Sequence, residues 1–479
     1  MPTSGIENTE EELTLEAIEG KSKFKQYLFY FSGQQASLLG SSIVSFAIIW
    51  WLTITTQSEL MLGIASLVSL GPYIIAAPIS GVLADKYNRK TLLITFDALQ
   101  AMVTVILSIL FLTDNISVAI IFVILGVRGT AQAFHQPVSM AVAPTMVPND
   151  KLSRINGLSY LFSGVVNIIG PVVGAALLAI PGINIGMILW IDVGTFAIAM
   201  IPLIFIKIPS VTKKEKEEQE KQSFITQVLD GLNALRGTKG MLALLFGAML
   251  INFFNTPLMA LLSLFVNKTH MGNEADYALI VGMFQAAIVV GGLIMSFLRG
   301  MKRPVLFMII SVIFMYACQA ALAFIPTDFG GRFWAIGSIL FLFALPVSVV
   351  DVMFITSIQL LVPKEKMGRA IAAIMAIAPA IRPLGQFLSG LIAEFIGISL
   401  IFIIASGVGT IVIVILWFAT PMKALDKEIA RVMKEANGKD KEKIKEIETA
   451  EDGFYTTEIK KEEIPVSIDK LATQSIGSE

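Results

Sequence analysis

Apolar residues run through this chain in long blocks separated by short polar turns. Twelve of the blocks are about 20 residues or longer, the length an α-helix needs to cross a hydrocarbon core of roughly 30 Å. They fall at approximately 27–54, 60–84, 91–112, 117–145, 152–179, 184–207, 240–267, 277–299, 303–325, 333–361, 367–394 and 398–420. Helices are the structure to expect, because an open sheet would leave backbone groups without partners in lipid. The pattern predicts an all-α integral membrane protein of twelve transmembrane helices.

The charged positions then orient those helices. One set of turns carries Lys86, Arg89 and Lys90, then Lys151 and Arg154, the Lys-rich stretch 207–236, Arg299, Lys302 and Arg303, and finally Lys364, Lys366 and Arg369. The short turns of the other side carry only Lys268 and Arg332. Basic residues accumulate on the cytoplasmic side of a membrane, so both termini are expected in the cytoplasm of a cell-membrane protein.

The stretch 209–239 divides the helices six and six. Its first part is a mixed-charge linker. Its second part spaces Phe224, Ile225, Val228, Leu229, Leu232 and Leu235 as an amphipathic helix, lying either on the membrane surface or against the bundle. The expected layout is a polar cytoplasmic N-terminus (1–26), a first six-helix half (27–208), the linker (209–239), a second half (240–422) and a charged, partly disordered cytoplasmic tail (423–479). An internal repeat supports the two pseudo-symmetric halves. "VPNDKLSRI" at 147–155 matches "VPKEKMGRA" at 362–370, an offset of 215, and at that offset Gly170 falls on Gly385. Parallel repeats of this kind place a substrate site near the midplane, between the halves.

Composition removes several function classes. The 479 residues are 55% hydrophobic and 15% charged, against about a quarter charged in water-soluble chains. A net charge of −1 leaves no footprint for nucleic acid. The single cysteine, Cys318, excludes an intrachain disulfide. There are two histidines, His135 and His270, and no nucleotide loop or metal-ligand cluster, so neither a metal, a cofactor nor a membrane enzyme is indicated. The acidic, polar N-terminus has no cleavage signal, which makes the first apolar block a retained helix.

The turn between helices 2 and 3 reads "GVLADKYNRK" (81–90). Gly81 permits close packing or an unusual turn. Asp85 can accept from a neighbouring helix N-terminus or pair with Arg89. Charge bias across the membrane accounts for Lys86 and Lys90 but not for an acid at the helix end. The stretch resembles the loop 2–3 motif of the major facilitator superfamily, with Gly81, Leu83, Ala84, Asp85, Arg89 and Lys90 in the motif positions. That resemblance implies a latch joining the cytoplasmic ends of the two halves in the outward-facing state. It also draws Asp97 into the gate network.

Further stretches are similar to the macrolide-efflux branch of the drug:proton antiporters. They are "GQQASLLGSSIVSFAIIWWLT" (33–53) and "AFHQPVSMAVAPTMVPNDKLSRINGLS" (133–159). "GPVVGA" (170–175) resembles the antiporter motif of helix 5, with Ala175 in place of its last glycine and Val166 in place of the earlier one. Pro171 interrupts the hydrogen-bond ladder, and Gly170 and Gly174 offer a small-residue face. A kink there would let helix 5 rock against its partner in the other half.

The family fold implies that helices 1, 4, 7 and 10 line the cavity, and polar residues on these helices recur at helical spacing. Helix 1 carries Gln34, Ser37, Ser41 and Ser45, and helix 4 carries Arg128, Gln132, His135 and Ser139. Helix 7 offers Asn252, Thr256, Met259 and Ser263, and helix 10 offers Ser348, Asp351 and Gln359. Each set occupies one helical face. Charges within helices are costly and pair with each other or line a water path. They are Asp97, Arg128, Asp192, Asp351, Arg382 and, at the outer interface, Glu394. Asp192 with Arg128, and Asp351, are the candidates for proton coupling.

With no dense charge ring for a phosphate or sugar acid, the expected cargo is small, bulky and partly hydrophobic or amphipathic. The resemblance to the macrolide-efflux branch implies a macrolide-like drug, exported in exchange for protons, and the transporter is expected to be a monomer. A siderophore or lysophospholipid transporter of the same fold, or a non-transporting membrane sensor, are the alternatives. Asn-X-Ser/Thr sites at Asn115 and Asn267 fall in expected outer loops.

Overall fold

A computed structural model of the full chain describes the backbone of residues 4–140, 142–206, 208, 224–297 and 303–432. The linker 209–223, the tail beyond 432, and the side chains of 4–21 and 77–86 lie outside the described residues, and with them Gly81 and the carboxyl of Asp85. Among the described residues, twelve helices are long and apolar enough to cross a membrane. They are Ser22–Thr56, Glu59–Ala76, Arg89–Leu112, Val118–Met146, Arg154–Leu178 and Ile185–Phe205 in the first half. The second half supplies Met241–Thr269, Glu274–Met295, Pro304–Leu322, Arg332–Leu361, Arg369–Ile396 and Ile398–Ala419. These are spans 1 to 12.

The packing repeats between halves. Span 1 packs on 5 and 6, span 2 on 4, and span 3 on 4 and 6; spans 7, 8 and 9 pack on 11 and 12, on 10, and on 10 and 12 in the same pattern. The halves meet where span 2 packs on span 11 and span 5 on span 8, two contacts that exchange under the same six-span shift. The repeat seen in the sequence has a structural basis. Pro148 (φ −56°, ψ 143°) and Pro363 (φ −55°, ψ 139°) hold the same extended conformation just before a helix begins, and Val147 and Val362 beside them are buried. Proline suits this position because its fixed φ and missing N–H cost nothing there. Gly170 lies against Ser42 of span 1, and its repeat mate Gly385 lies against Thr256 of span 7.

The halves differ in continuity. In the first half, Pro171 and Pro202 sit inside unbroken helices, and span 4 is interrupted only near its end, between Val118–Met140 and Ala143–Met146. In the second half, span 7 breaks between Met241–Phe254 and Thr256–Leu264 and ends in the π-turn Phe265–Thr269. Span 11 breaks between Lys364–Ile377 and Arg382–Ile396. Pro257 cannot donate to Phe253, and the Thr256 hydroxyl fills that place, donating to the Phe253 carbonyl at 2.5 Å. Gln319 Nε2 donates to the Phe254 carbonyl at 3.3 Å. Polar side chains thus satisfy backbone groups that lipid could not.

The amphipathic stretch forms a helix, Phe224–Arg236, and it lies against the bundle. Ala234 and Leu235 are buried with Ala370 and Ile374 of span 11's first piece, and Arg369 Nη1 reaches Asp230 Oδ2 at 3.2 Å. The tail also begins as structure. Residues 422–432 are helical, and Met422, Leu425 and Ile429 are buried in the core of the second half. Asp426 accepts from the backbone N–H of Val305 (2.8 Å) and Leu306 (3.1 Å), capping span 9. Burial pushes the Asp426 carboxyl up, against the opposing pull of those two donors. The second half therefore extends to at least residue 432, ten residues past the expected boundary.

Candidate functional site

The polar faces of spans 1 and 4 are brought together. Gln34, Ser37, Ser41 and Ser45 from span 1 and Arg128, Gln132, His135 and Ser139 from span 4 all line one cavity of about 710 Å³ in the first half. Tyr27, Tyr30 and Phe31 give it an aromatic side. Asn156 and Ser159, near the start of span 5, carry it towards the end of the molecule where loop 2–3 lies. Helical periodicity is why this face was legible: residues three, four and seven apart share one side.

Two charge centres sit behind and in this cavity. Arg128 Nη1 pairs with Asp192 Oδ2 at 2.9 Å, and Asp192 is fully buried. Ser41 Oγ donates to Asp192 Oδ1 at 2.8 Å, Thr104 Oγ1 donates to Oδ2 at 3.3 Å, and Arg128 also donates to Thr104. A buried ion pair holds when its remaining lone pairs are satisfied, as here. Asp192 does not line the cavity, so the pair reads as a fixed strut joining spans 1, 3, 4 and 6.

The second centre is Asp97 with His135. Nε2 of His135 lies 3.1 Å from Asp97 Oδ1, with side chains 10% and 2% exposed. Gln34 Nε2 donates to Asp97 Oδ2 at a long 3.4 Å. Asp97 was expected in the loop 2–3 gate; in the structure it faces the cavity, alongside His135 and Gln34. Nothing local in the sequence links the two, since they are 38 positions apart on different helices. Tyr30, whose hydroxyl lies 2.7 Å from Ser139 Oγ, and Tyr73, which donates to Gln136 at 2.8 Å, were not anticipated.

Other expected residues sit elsewhere. Lys90 Nζ donates to the carbonyls of Ile204 (2.8 Å) and Ile206 (2.9 Å), where a cation satisfies the free C-terminal end of span 6. Asn88 caps span 3 by accepting from the Lys90 N–H. Gly174 packs on Phe46 and Ile43 of span 1. The Gly170–Gly174 face is therefore internal to its half, and span 5 instead presents Gly164 and Val172 to Val289 and Gly282 of span 8. In the second half, Arg382 Nε donates to Asn252 Oδ1 at 2.6 Å, joining the broken stretches of spans 7 and 11. Asp351 is exposed on span 10 and feels the Arg382 charge. Thr256 is buried between spans 7 and 11, 3.2 Å from Ser389, so it packs rather than lines.

A further constellation joins the halves at the end opposite loop 2–3. Lys268 Nζ of span 7 reaches both Glu59 carboxylate oxygens of span 2 (2.9 and 3.0 Å) and the Gln57 carbonyl (3.0 Å). Gln57, in the left-handed region at φ 48°, donates to Asn267 at 2.6 Å. Glu394 of span 11 accepts from Ser58 Oγ (3.1 Å) and the Leu60 N–H (3.2 Å), at the N-terminus of span 2. Thr53 donates to Ser263 at 2.8 Å. Below these bonds, Phe46 and Trp50 of span 1 stack on Tyr277 of span 8, and Gly63 lies against the Phe387 carbonyl and Gly390 of span 11. Small residues let these backbones approach. Glu59 was missed because a lone acid at a helix start reads as a solvated end; its partner is 209 residues away.

Known proteins match this arrangement. The family model described as Major Facilitator Superfamily matches residues 30–381. A "Macrolide efflux protein A" of Streptococcus pyogenes is 28% identical over 398 residues, covering 82% of this chain and 94% of that protein. The "Multidrug efflux pump Tap" of Mycolicibacterium fortuitum is 23% identical over 387 residues, covering 77% and 89%. Among solved structures, the nucleoside transporter NupG is similar with a TM-score of 0.61 at 14% identity, covering 84% of this chain and 98% of that one. That last likeness concerns the fold alone.

Proposed function

The chain belongs to the major facilitator superfamily, and from that premise we propose that it exports bulky, partly hydrophobic compounds of the macrolide type, in exchange for protons. The observation that carries this reading is the first-half cavity. It combines an aromatic side (Tyr27, Tyr30, Phe31) with polar and ionisable groups from two helices, the lining expected for an amphipathic cargo. Similarity to macrolide efflux proteins over four fifths of the chain supports the cargo class. An anionic cargo is disfavoured, because Arg128 is already paired with Asp192.

With the termini in the cytoplasm, the Glu59–Lys268 end is outer. The polar bonds described above between the halves gather at that end, and the cavity runs towards the other. This is the arrangement of a carrier closed outside and facing the cytoplasm, ready to load. The loop 2–3 motif (Gly81, Asp85, Arg89) is the proposed latch of the opposite state. Alternating access then consists of breaking one set of end contacts and making the other, with the halves moving as bodies about spans 2–11 and 5–8.

The test uses purified protein in liposomes with an imposed pH gradient and an internal pH dye, adding macrolides and other hydrophobic drugs in turn. Drug-dependent collapse of the gradient, together with drug movement against its own gradient, is the expected result. Drug movement without proton flux would remove the exchange; absence of both would remove the export reading.

A further inference from the structure

At the end of the molecule where loop 2–3 lies, the two halves use their basic residues differently. In the first half, Lys90 donates to the carbonyls that end span 6, and Lys151 lies over the Phe24 ring at 4.7 Å. In the second half, three separate segments bring cations together. Gly240, at φ 94°, packs on the Pro421 carbonyl and on Leu425 of the tail helix 422–432, which sets Lys239 beside that helix. Asp426 of the same helix caps span 9 and feels the charge of Arg303, the residue just before that span. The tail helix buries Met422, Leu425, Asp426 and Ile429. Its exposed side carries Lys423 and Lys427, one turn apart.

Lys239, Arg303, Lys423 and Lys427 are all exposed, and among the described residues none of the four forms an ion pair. The acids of the tail helix are committed elsewhere, Asp426 to the backbone of span 9 and Glu428 to Arg431 at 3.6 Å. Like charges gathered on fixed segments repel, and an anion lying among them removes that cost.

Depth decides which anion. Lys239 stands two residues before span 7, Arg303 one before span 9, and Lys423 four after span 12. The polar layer of a bilayer is about 5–7 Å deep on each side, from a core of ~30 Å within a total of ~40–45 Å, so cations this near the span ends lie among headgroups. Lys423 Nζ sits 3.8 Å from the centre of the Phe418 ring and 5.8 Å from that of Trp417. Phe418 is 70% exposed, and aromatic residues at a span end mark the interface. A ligand here meets cations and an apolar surface side by side, which suits a lipid better than a free anion. The usual charge bias of membrane proteins accounts for the sign of these residues. It does not account for a docked helix that fixes two of them beside the starts of spans 7 and 9.

We propose that Lys423 and Lys427 of the tail helix, with Lys239 and Arg303, bind the headgroup phosphate of an anionic phospholipid. Basic pockets between membrane helices take such headgroups. The lipid ties the ends of spans 7, 9 and 12 to one another, with its phosphate among the four cations and an acyl chain along Phe418. Such a site serves the bilayer contact and not the cargo.

The test melts the full-length protein in dodecyl maltoside while dioleoylphosphatidylglycerol is titrated in, with net-neutral dioleoylphosphatidylcholine as the control. No transported compound is added, so the outcome does not depend on the export reading. The melting temperature is expected to rise and saturate with the anionic lipid and to stay level with the neutral one. Lys239→Gln combined with Lys427→Gln should raise the half-saturating lipid concentration about 25-fold, taking about fivefold for each cation lost. Lys427→Arg, which keeps the charge, should hold the wild-type value. So should Lys25→Gln, which removes an exposed cation from the first half at the same end. Equal rises with the two lipids, or a double variant that titrates like wild type, overturn the proposal. Inorganic phosphate that reproduces the rise at matched concentration also overturns it, because the ligand would then be a free anion.

Discussion

The two halves share one packing scheme but differ in what fills it. The first half keeps spans 3 and 6 continuous and concentrates its chemistry inward: Arg128, Asp97 and His135 from spans 3 and 4 line one cavity, with Asp192 of span 6 buried behind Arg128. The second half has an interior built on Tyr316, Phe343 and Phe402, two broken helices, and polar ties between them from Arg382 to Asn252 and from Thr256 to Ser389. The difference teaches a division of labour. Continuous helical stretches hold fixed charges in register, while breaks at Asn255 and at 378–381 interrupt the helical ladder in spans 7 and 11.

The comparison can be broken most severely through the second half's reliance on its last helix. A chain ending after residue 432 should fold and sediment like the full protein, whereas one ending after Pro421 should lose the monodisperse species in size-exclusion chromatography. Leu425→Ala or Ile429→Ala alone should cost about 2–5 kcal/mol, the usual range for a buried aliphatic side chain. Asp426→Ala leaves two backbone donors without their acceptor, about 1–3 kcal/mol. If the shorter chain melts at the temperature of the longer one, the tail is an appendage and the described docking contributes nothing.

Next in size is the charge strut of the first half. Arg128→Met leaves Asp192 buried and unpaired, which should cost about 3–5 kcal/mol. Adding Asp192→Leu should restore much of it, because two apolar side chains can replace a buried pair. The same change across the molecule, Arg382→Met, removes a partner from an exposed position and should stay within about 1 kcal/mol. Thermal melts of the three proteins decide the matter. Equal losses at Arg128 and Arg382 would erase the distinction between a charged half and an apolar one.

How much of this was open to a sequence reader follows from which forces are local. The spans were legible because lipid penalises every unpaired backbone group, and the cavity faces of spans 1 and 4 because a helix repeats every 3.6 residues. The helix breaks were not. Pro137, Pro171, Pro202 and Pro346 sit inside intact helices, while Pro257 accompanies a break, so proline alone does not distinguish them. Thr256 was read as a cavity residue because its spacing was right; its hydroxyl instead replaces the donor that Pro257 lacks. Pairings across the fold were silent altogether. Asp97 with His135, Glu59 with Lys268, and Asp426 with the start of span 9 each join segments that no local pattern connects.

A smaller effect concerns the seam between the halves. Lys268→Glu adds a third carboxylate to an interface that already holds Glu59 and Glu394, and like charges at close range repel. Spin labels at Asn115 and Asp328, in loops of opposite halves at that end, should move apart by several ångströms relative to the unmodified lysine. Glu59→Gln should shift the distance distribution less. A distance unmoved by Lys268→Glu would mean that the stacked aromatics Phe46, Trp50 and Tyr277 close this end without help from charge.

The smallest effect should come from His270, just beyond span 7. Its ring meets Phe265 edge-on, and Arg332 donates to its carbonyl at 3.0 Å. Burial and then the Arg332 charge hold its imidazole below the ordinary histidine range. A histidine whose proton affinity is lowered by folding is bound more readily by the unfolded chain, so stability is intact above an unfolded value of about 6.5 and falls as pH drops through it. Melting temperatures of wild type and His270→Gln should therefore run parallel from pH 8 to 7 and converge by about 1–2 °C towards pH 5.5. Every other group is common to both proteins, so its contribution cancels in the difference. Parallel curves throughout would mean that the loop after span 7 relaxes to admit the proton, leaving Glu59–Lys268 as the part of the seam that must be rigid.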